Sequence, residues 1–205
     1  MDNRLFFPAT KRNRYCIGDV LSIFLTGRGS VLEIGSGSGE HGVVFQKRFP
    51  EIIWQTSDPD PCHRKSIISW IENKGLSDRM PKPIDIDVQK RPWPVPANLT
   101  NSLVGIICIN MIHVSPWKST KALFEESYKL LKKEQILMLY GPFKIEGKHV
   151  SESNIIFDNS LYYQNKNWGV RDLDEVTNLA ISCSFRRENI IPMPSNNYSI
   201  IYKRL

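Results

Sequence analysis

The chain has 205 residues, with 27 Lys and Arg against 21 Asp and Glu, a formal net charge of +6. Hydrophobic residues make up 41% and charged residues 23%, which excludes a disordered polar chain and suffices for a core without disulfide or metal staples. No apolar run reaches the length of a membrane span, residues 1–14 lack the apolar stretch of a signal peptide, and so mild a positive excess demands no nucleic-acid partner.

A single cytoplasmic domain over residues 1–205 is therefore expected. Cys16, Cys62, Cys108 and Cys183 stand singly, without CxxC or zinc spacing, so reduced thiols and no metal site are expected. Residues 1–29 read as an N-terminal cover segment. The run Ser30 to Ile34 reads as a buried strand that ends in a glycine turn, and Glu40 to Phe49 as a helix. A second strand, Ile52 to Thr56, closes on Ser57-Asp58-Pro59, and His63 to Asn73 has helical spacing with Gly75 as its stop. Ile84 to Val88 reads as a third strand and residues 91–101 as loop. Leu103 to Ile109 is apolar enough for a strand buried on both faces. Ser119 to Leu131 follows as a helix and Gln135 to Tyr140 as a fifth strand. Alternation of strand and helix predicts an α/β fold with a Rossmann-like, doubly wound parallel sheet. Residues 144–172 are polar, dotted with aromatics and without a period, as a lid-like insertion would be. A helix over Leu173 to Ser182 leads to two runs, Arg186 to Ile191 and Tyr198 to Tyr202. Their short connection requires an antiparallel hairpin at the sheet edge.

The chemistry is carried by Glu33-Ile34-Gly35-Ser36-Gly37-Ser38-Gly39-Glu40-His41. Glycines let a strand turn tightly into a helix whose first N–H groups have no partner. The string also holds Gly37-x-Gly39-x-x-Gly42, the dinucleotide fingerprint. Glu33 separates the two readings. A carboxylate two residues before the first glycine repels a pyrophosphate, whereas beside S-adenosylmethionine (SAM) it faces an ammonium. A nicotinamide oxidoreductase is therefore disfavoured. Asp58, at the end of the second strand, stands where an acid accepts from ribose hydroxyls, and also where an Asp forms a turn before proline. Asp87 and the Val88 amide are placed for an adenine ring, with Asp85 as the competitor.

These segments resemble one family over nearly the whole chain. The resembling stretches include Arg12-Asn13-Arg14, Leu32 to His41, Trp54 to Asp58, Asp87-Val88, Asn110 to Trp117 and Tyr140 to Phe143. Ser153 to Leu161, Trp168 to Asp172 and Met193 to Asn197 complete them. The family is an uncharacterised class I SAM-dependent methyltransferase group, a domain of unknown function that includes the methyltransferase-like 26 proteins. The resemblance implies the seven-stranded methyltransferase sheet with its C-terminal antiparallel hairpin, and SAM as cofactor. It supplies no substrate. The segment after Arg14 departs from it, reading Tyr-Cys-Ile-Gly where the family has a proline-led helix start.

On this reading Glu33, Gly35, Ser36, Gly37, Gly39, Asp58, Asp87, Val88, Asn110 and Met111 bind the cofactor. His113, whose ordinary pKa is about 6.5, is either a base or a structural histidine bonded to a carbonyl. Trp117 and Phe143 wall a pocket or simply pack. Asn154, Asp158 and Arg171 face the substrate from the lid, with Phe157, Tyr162, Tyr163 and Trp168 packed down beneath it. Arg171 pairs with Asp158 or a substrate carboxylate, or Arg171-Asp172 starts a helix. Arg12, Asn13 and Arg14 either cover the cofactor or form a solvated basic terminus. The activity expected is SAM-dependent methyl transfer to a small-molecule acceptor, and the alternative is a non-catalytic SAM-binding or scaffold protein.

Overall fold

A computed structural model describes residues 2–205, which fall into two compact units that divide between Ile107 and Cys108. The first unit begins with helix α1 (Pro8–Phe24), where Pro8 pre-sets the first helical φ and Ile17, Val20 and Leu21 are buried. Strand β1 (Gly29–Ile34) runs parallel to β2 (Ile52–Ser57), with Val31 opposite Trp54 and Ile34 opposite Ser57. Helix α2 (Glu40–Arg48) connects them and places Lys47 and Arg48 in its last turn, where the helix dipole favours cations. Helix α3 (Pro61–Asn73) follows β2; its cap is Asp60, which accepts from the Cys62 amide at 2.7 Å. A six-residue helix, α4 (Ala97–Ser102), leads into β3 (Leu103–Ile109). The core of this unit centres on Ile17, Leu21, Val31, Leu32, Phe45, Trp54 and Ile67, all sealed from solvent.

The second unit opens with a short 3-10 turn, Met111–His113, and helix α5 (Trp117–Leu130). Strand β4 (Ile136–Gly141) is fully buried. Strands β5 (Phe143–Ile145), β6 (Lys148–His149) and β7 (Arg171–Asp172) form a small sheet in the order β6-β5-β7. Helix α6 (Glu152–Gln164) lies between β6 and β7, capped by the Ser151 hydroxyl on the Asn154 amide. Helix α7 (Leu173–Ser182) is capped by Asp172, which accepts from the amides of Asp174 and Glu175. Strands β8 (Phe185–Met193) and β9 (Asn197–Arg204) make the antiparallel hairpin, with Ser195 and Asn196 left-handed in its turn. β9 also pairs antiparallel with β4. The main sheet is mixed, in the order β2-β1-β3-β4-β9-β8.

Four expectations need correction. The seven-stranded sheet has six strands, because residues 84–88 contribute only a bridge from Ile84 to Ser57. Prolines at 81 and 83 remove ladder donors there, and Asp87 already turns back to the Gln89 amide at 3.0 Å. The N-terminal segment contains a 17-residue helix, α1, that starts at Pro8 rather than after Arg14. Residues 144–172 contain a 13-residue helix, α6. The aromatics of that segment do not pack down: Phe157 and Tyr162 are exposed and Tyr163 is 88% exposed, while Trp168 is half-buried. Among the described residues no helix is long and apolar enough to cross a membrane.

Candidate functional site

The turn from β1 to α2 carries Gly35, Gly37 and Gly39 at φ of +68°, +56° and +89°. Each is in the left-handed region, where any other residue costs about 1–2 kcal/mol. Ordered contacts clamp this turn to the end of β2. The Ser36 amide donates to the Ser57 carbonyl at 2.8 Å, and the Gly37 amide donates to Asp58 Oδ2 at 2.8 Å. Asp58 Oδ1 accepts from the Asp60 amide at 2.9 Å and lies 3.0 Å from His63 Nδ1. Asp58 is thus both the turn-former and the fastener of the glycine loop. Gly42 serves a different purpose. A Cβ there would strike Thr56 and Met80, so its absence lets α2 seat closely over β2.

Glu33 lies beneath this turn and is 1% exposed. Its Oε2 accepts the Trp54 indole N–H at 2.6 Å. Burial pushes its carboxyl up to about 7, against the hydrogen bonds from Trp54 and Ser36. Held by Trp54, the Glu33 carboxyl braces the turn from below.

Residues 4–7 lie across the same turn as a strap. The Leu5 amide donates to Ser66 Oγ at 2.8 Å, and Trp70 Nε1 donates to the Leu5 carbonyl at 3.0 Å. The Phe7 amide donates to Glu40 Oε2 at 2.9 Å, and its ring sits edge-on to His63 and against Gly37. Behind the strap, α1 presents Asn13, whose Oδ1 is 2.8 Å from His41 Nε2 in the first turn of α2. Burial, then the charge of Arg14, pushes His41 down to about 3. Arg12 is exposed. Alongside β2, the Asp58 amide donates to the Ile84 carbonyl at 3.1 Å and fixes the segment that carries Asp87 and Val88. Val88 is buried, and its carbonyl accepts from Trp93 Nε1.

In the second unit, Asn110 holds a left-handed φ of 60°, unusual for a residue with a side chain, and donates its amide to the Tyr140 carbonyl. His113 is 0% exposed and neither ring nitrogen has a hydrogen-bond partner. Its ring packs edge-on to Phe143, with centroids 5.4 Å apart. Gly141 adjoins the ring so tightly that a Cβ there would collide with it and lie 3.1 Å from Asn110 Oδ1. Burial, then the Arg171 charge, pushes His113 down to about 3, so the imidazole is neutral. Asn110, His113, Gly141 and Phe143 form one constellation.

The remaining expected substrate contacts have other partners. Arg171 donates to the carbonyls of Ile112, Ser115 and Asn167, and its guanidinium lies 5.9 Å from the Trp117 ring. It does not pair with Asp158. That carboxylate takes Lys144 Nζ at 2.8 Å, His149 Nε2 at 3.0 Å and the Val170 amide at 2.7 Å. Asn154 is buried and donates to the Asn196 carbonyl of the hairpin turn. Met111 packs its sulfur against the Ser115 hydroxyl, and Trp117 opens α5 half-buried. Arg171, Asp158 and Asn154 therefore hold the backbone around His113 and α6. Trp54, His63, Phe7, Gly141, Lys144 and His149 were not anticipated; of these only the Gly141-Pro142 strand stop gave a local sequence signal. Among the described residues no group of three or more His, Cys, Asp or Glu is placed to hold a metal ion.

A family model described as "Protein of unknown function (DUF938)" matches residues 4–204. Solved structures share the fold. An O-methyltransferase family protein from Burkholderia thailandensis superposes with a TM-score of 0.79 at 14% identity, covering 96% of this chain and 57% of its own. An O-methyltransferase family 2 protein from Planctomyces limnophilus, solved with apigenin, gives 0.79 at 16%, covering 96% and 60%. Human N-acetylserotonin methyltransferase, solved with SAM, gives 0.75 at 14%, covering 96% and 52%. The chain spans a little over half the length of these proteins.

Proposed function

We propose that this chain, which belongs to the DUF938 family of proteins of unknown function, is a SAM-dependent methyltransferase acting on a small-molecule acceptor. The observation that carries the reading is the clamped glycine turn: left-handed glycines between β1 and α2, and Asp58 fastened at the end of the neighbouring parallel strand. The fold shared with small-molecule O-methyltransferases supports it, as does the sequence resemblance to the methyltransferase-like 26 proteins.

The residues fit the cofactor. Gly35, Gly37 and Gly39 hold the turn in left-handed backbone that a Cβ would strain, Ser36 ties it to β2 through its amide, and Asp58 presents a carboxylate already oriented by backbone amides. Glu33 supports that turn, and Asp87 and Val88 stand on the segment fixed beside β2. When bound, SAM supplies a methyl group activated by its sulfonium. The protein's task is then to orient an acceptor and exclude water. His113 is neutral but, with its pKa lowered to about 3, a weak base, so its lone pair takes the proton only as methyl transfer makes the acceptor O–H strongly acidic. Phe143 and Gly141 fix its ring plane, Arg171 fixes the turn that carries it, and Trp117 flanks that turn.

A second reading, a non-catalytic SAM-binding protein, draws on one observation: His113 is wholly sealed from solvent. Calorimetry with SAM, S-adenosylhomocysteine and NAD(P) tests the cofactor, and NAD(P) binding without SAM binding would refute the proposal. Transfer of labelled methyl to a small-metabolite extract, with His113→Ala as control, then separates enzyme from binder. An enzyme loses turnover in the variant while its SAM affinity stays.

A further inference from the structure

Arg14 is a cation of the first unit whose surroundings call for a ligand rather than explain it. Its residue is half-buried in α1, yet its Nε–H has no contact with solvent and no hydrogen-bond partner. An unsatisfied donor on a guanidinium is costly to bury. The acids of α1, β1 and α2 are engaged elsewhere. Asp19 pairs with Arg48 at 2.7 Å, Glu33 holds Trp54, and Glu40 takes the Phe7 amide and the Ser38 hydroxyl. Among the described residues no carboxylate lies within ion-pair distance of Arg14, and its only recorded side-chain partner is the Tyr15 ring, 5.0 Å from Cζ.

Its position gives the unpaired donor a meaning. Asn13, the preceding residue, is hydrogen-bonded to His41 in the first turn of α2, so Arg14 is carried on a stretch of helix fixed to that turn. Its charge is felt by His41, which stays neutral in the first turn of α2. The first amides of α2 have no intrahelical acceptor and carry the positive end of the helix dipole. A planar donor fork next to a helix N-terminus is an arrangement for a carboxylate.

We infer that Arg14 is the anchor for the amino-acid carboxylate of SAM, using its buried Nε–H and terminal N–H groups. This rests on the proposal that the glycine turn binds SAM. It assigns a role to α1, which would otherwise only cover the sheet, and it makes recognition depend on the amino-acid end of the cofactor as well as the nucleoside end.

The test is calorimetry of wild type, Arg14→Gln and Arg14→Lys with SAM, S-adenosylhomocysteine and decarboxylated SAM, which keeps the sulfonium and lacks the carboxylate. Thermal melting of each variant serves as the folding control. Arg14→Gln should weaken SAM and S-adenosylhomocysteine about 10- to 100-fold, and Arg14→Lys less, because it restores charge without the fork. Decarboxylated SAM should bind wild type weakly and lose nothing further in Arg14→Gln. Equal weakening for SAM and decarboxylated SAM, or unchanged SAM affinity, would overturn the assignment while leaving the cofactor reading intact. Wild type that binds neither SAM nor S-adenosylhomocysteine overturns both.

Discussion

Trp54 donates its indole N–H to the Glu33 carboxylate at 2.6 Å, between adjacent parallel strands and wholly out of water. The bond places an ionisable group directly beneath the glycine turn. Trp54→Phe keeps an aromatic ring in the core and removes the donor. It should cost about 1–3 kcal/mol, the desolvation cost of an orphaned acceptor plus the trimmed ring. Glu33→Gln, which retains an acceptor without a charge, avoids ionising a buried carboxyl, so it should be stabilising at pH 8 and close to neutral at pH 4.5. Urea unfolding of the two variants checks both.

The same carboxylate shapes the response to pH. Its pKa rises on folding from 4.5 to about 7, so the folded form keeps a proton that the unfolded form releases. Its contribution to stability is present below pH 4.5 and lost as pH rises towards 7, roughly 3 kcal/mol in total. His41 and His113 fall from 6.5 to about 3, so the unfolded chain takes their protons first. Their contribution is present above pH 6.5 and lost on acidification, up to roughly 5 kcal/mol each by pH 3. Between pH 6.5 and 4.5, Glu33 offsets one of the two histidines. Melting temperature should therefore fall as pH drops below 6.5, and fall more steeply in Glu33→Gln. Thermal melts from pH 4.5 to 8 decide it; a flat profile would contradict the burial of both imidazoles.

His113 should trade stability against activity. With both nitrogens unpaired in a sealed site, His113→Leu removes a desolvation cost of about 1–3 kcal/mol, so unfolding should move to equal or higher urea. Methyl transfer, if His113 accepts the proton, should fall by about 100-fold or more. Activity retained in a stabilised variant would leave His113 purely structural.

Gly141→Ala tests the constellation from its other side. The glycine sits at φ +154° with His113 against it, so the added methyl group must displace the imidazole. A loss of about 1–3 kcal/mol is expected from overpacking, together with loss of turnover. Pairing it with His113→Ala should recover part of the stability, because the methyl then has room. A double-mutant cycle on unfolding measures that recovery.

Asp58→Ala removes an acceptor from the Gly37 and Asp60 amides at once. Stability should drop by about 1–3 kcal/mol, and S-adenosylhomocysteine affinity with it. Asp58→Asn, which can still accept from one amide, should lie between. Calorimetry alongside melting distinguishes a loosened turn from a lost ligand contact.

The glycine turn was legible because its constraint is local: φ values that only glycine adopts freely, bracketed by a strand and a helix. Asp58 was legible for its place at a strand end, but its bond to Gly37 bridges 21 positions and leaves no pattern in sequence. Arg171 shows the limit more sharply. Its charge suggested an acidic partner, yet the fold spends its donors on the carbonyls of Ile112, Ser115 and Asn167. Helix α6 was hidden because Ile155, Ile156, Tyr162 and Tyr163 face outward, so the apolar period that marks a core-facing helix is absent. Its cap, Ser151 followed by Glu152, was the only local sign.

The pairing of β4 with β9 also dictates an order of assembly. Ile136 meets Lys203 and Gly141 meets Tyr198, so β4 finds this neighbour only after α6, α7 and β8 have been made. Until then a strand of Ile136, Leu137, Met138, Leu139 and Tyr140 has one ladder edge open, the kind of surface that recruits other chains. Such a distant closure is slow, because chain entropy must be lost before the contacts form. During synthesis the second unit therefore passes through a window in which its most aggregation-prone strand is half-covered. Substitutions that weaken the β8–β9 turn at Ser195 and Asn196 should lengthen that window and lower soluble yield before they alter the finished fold.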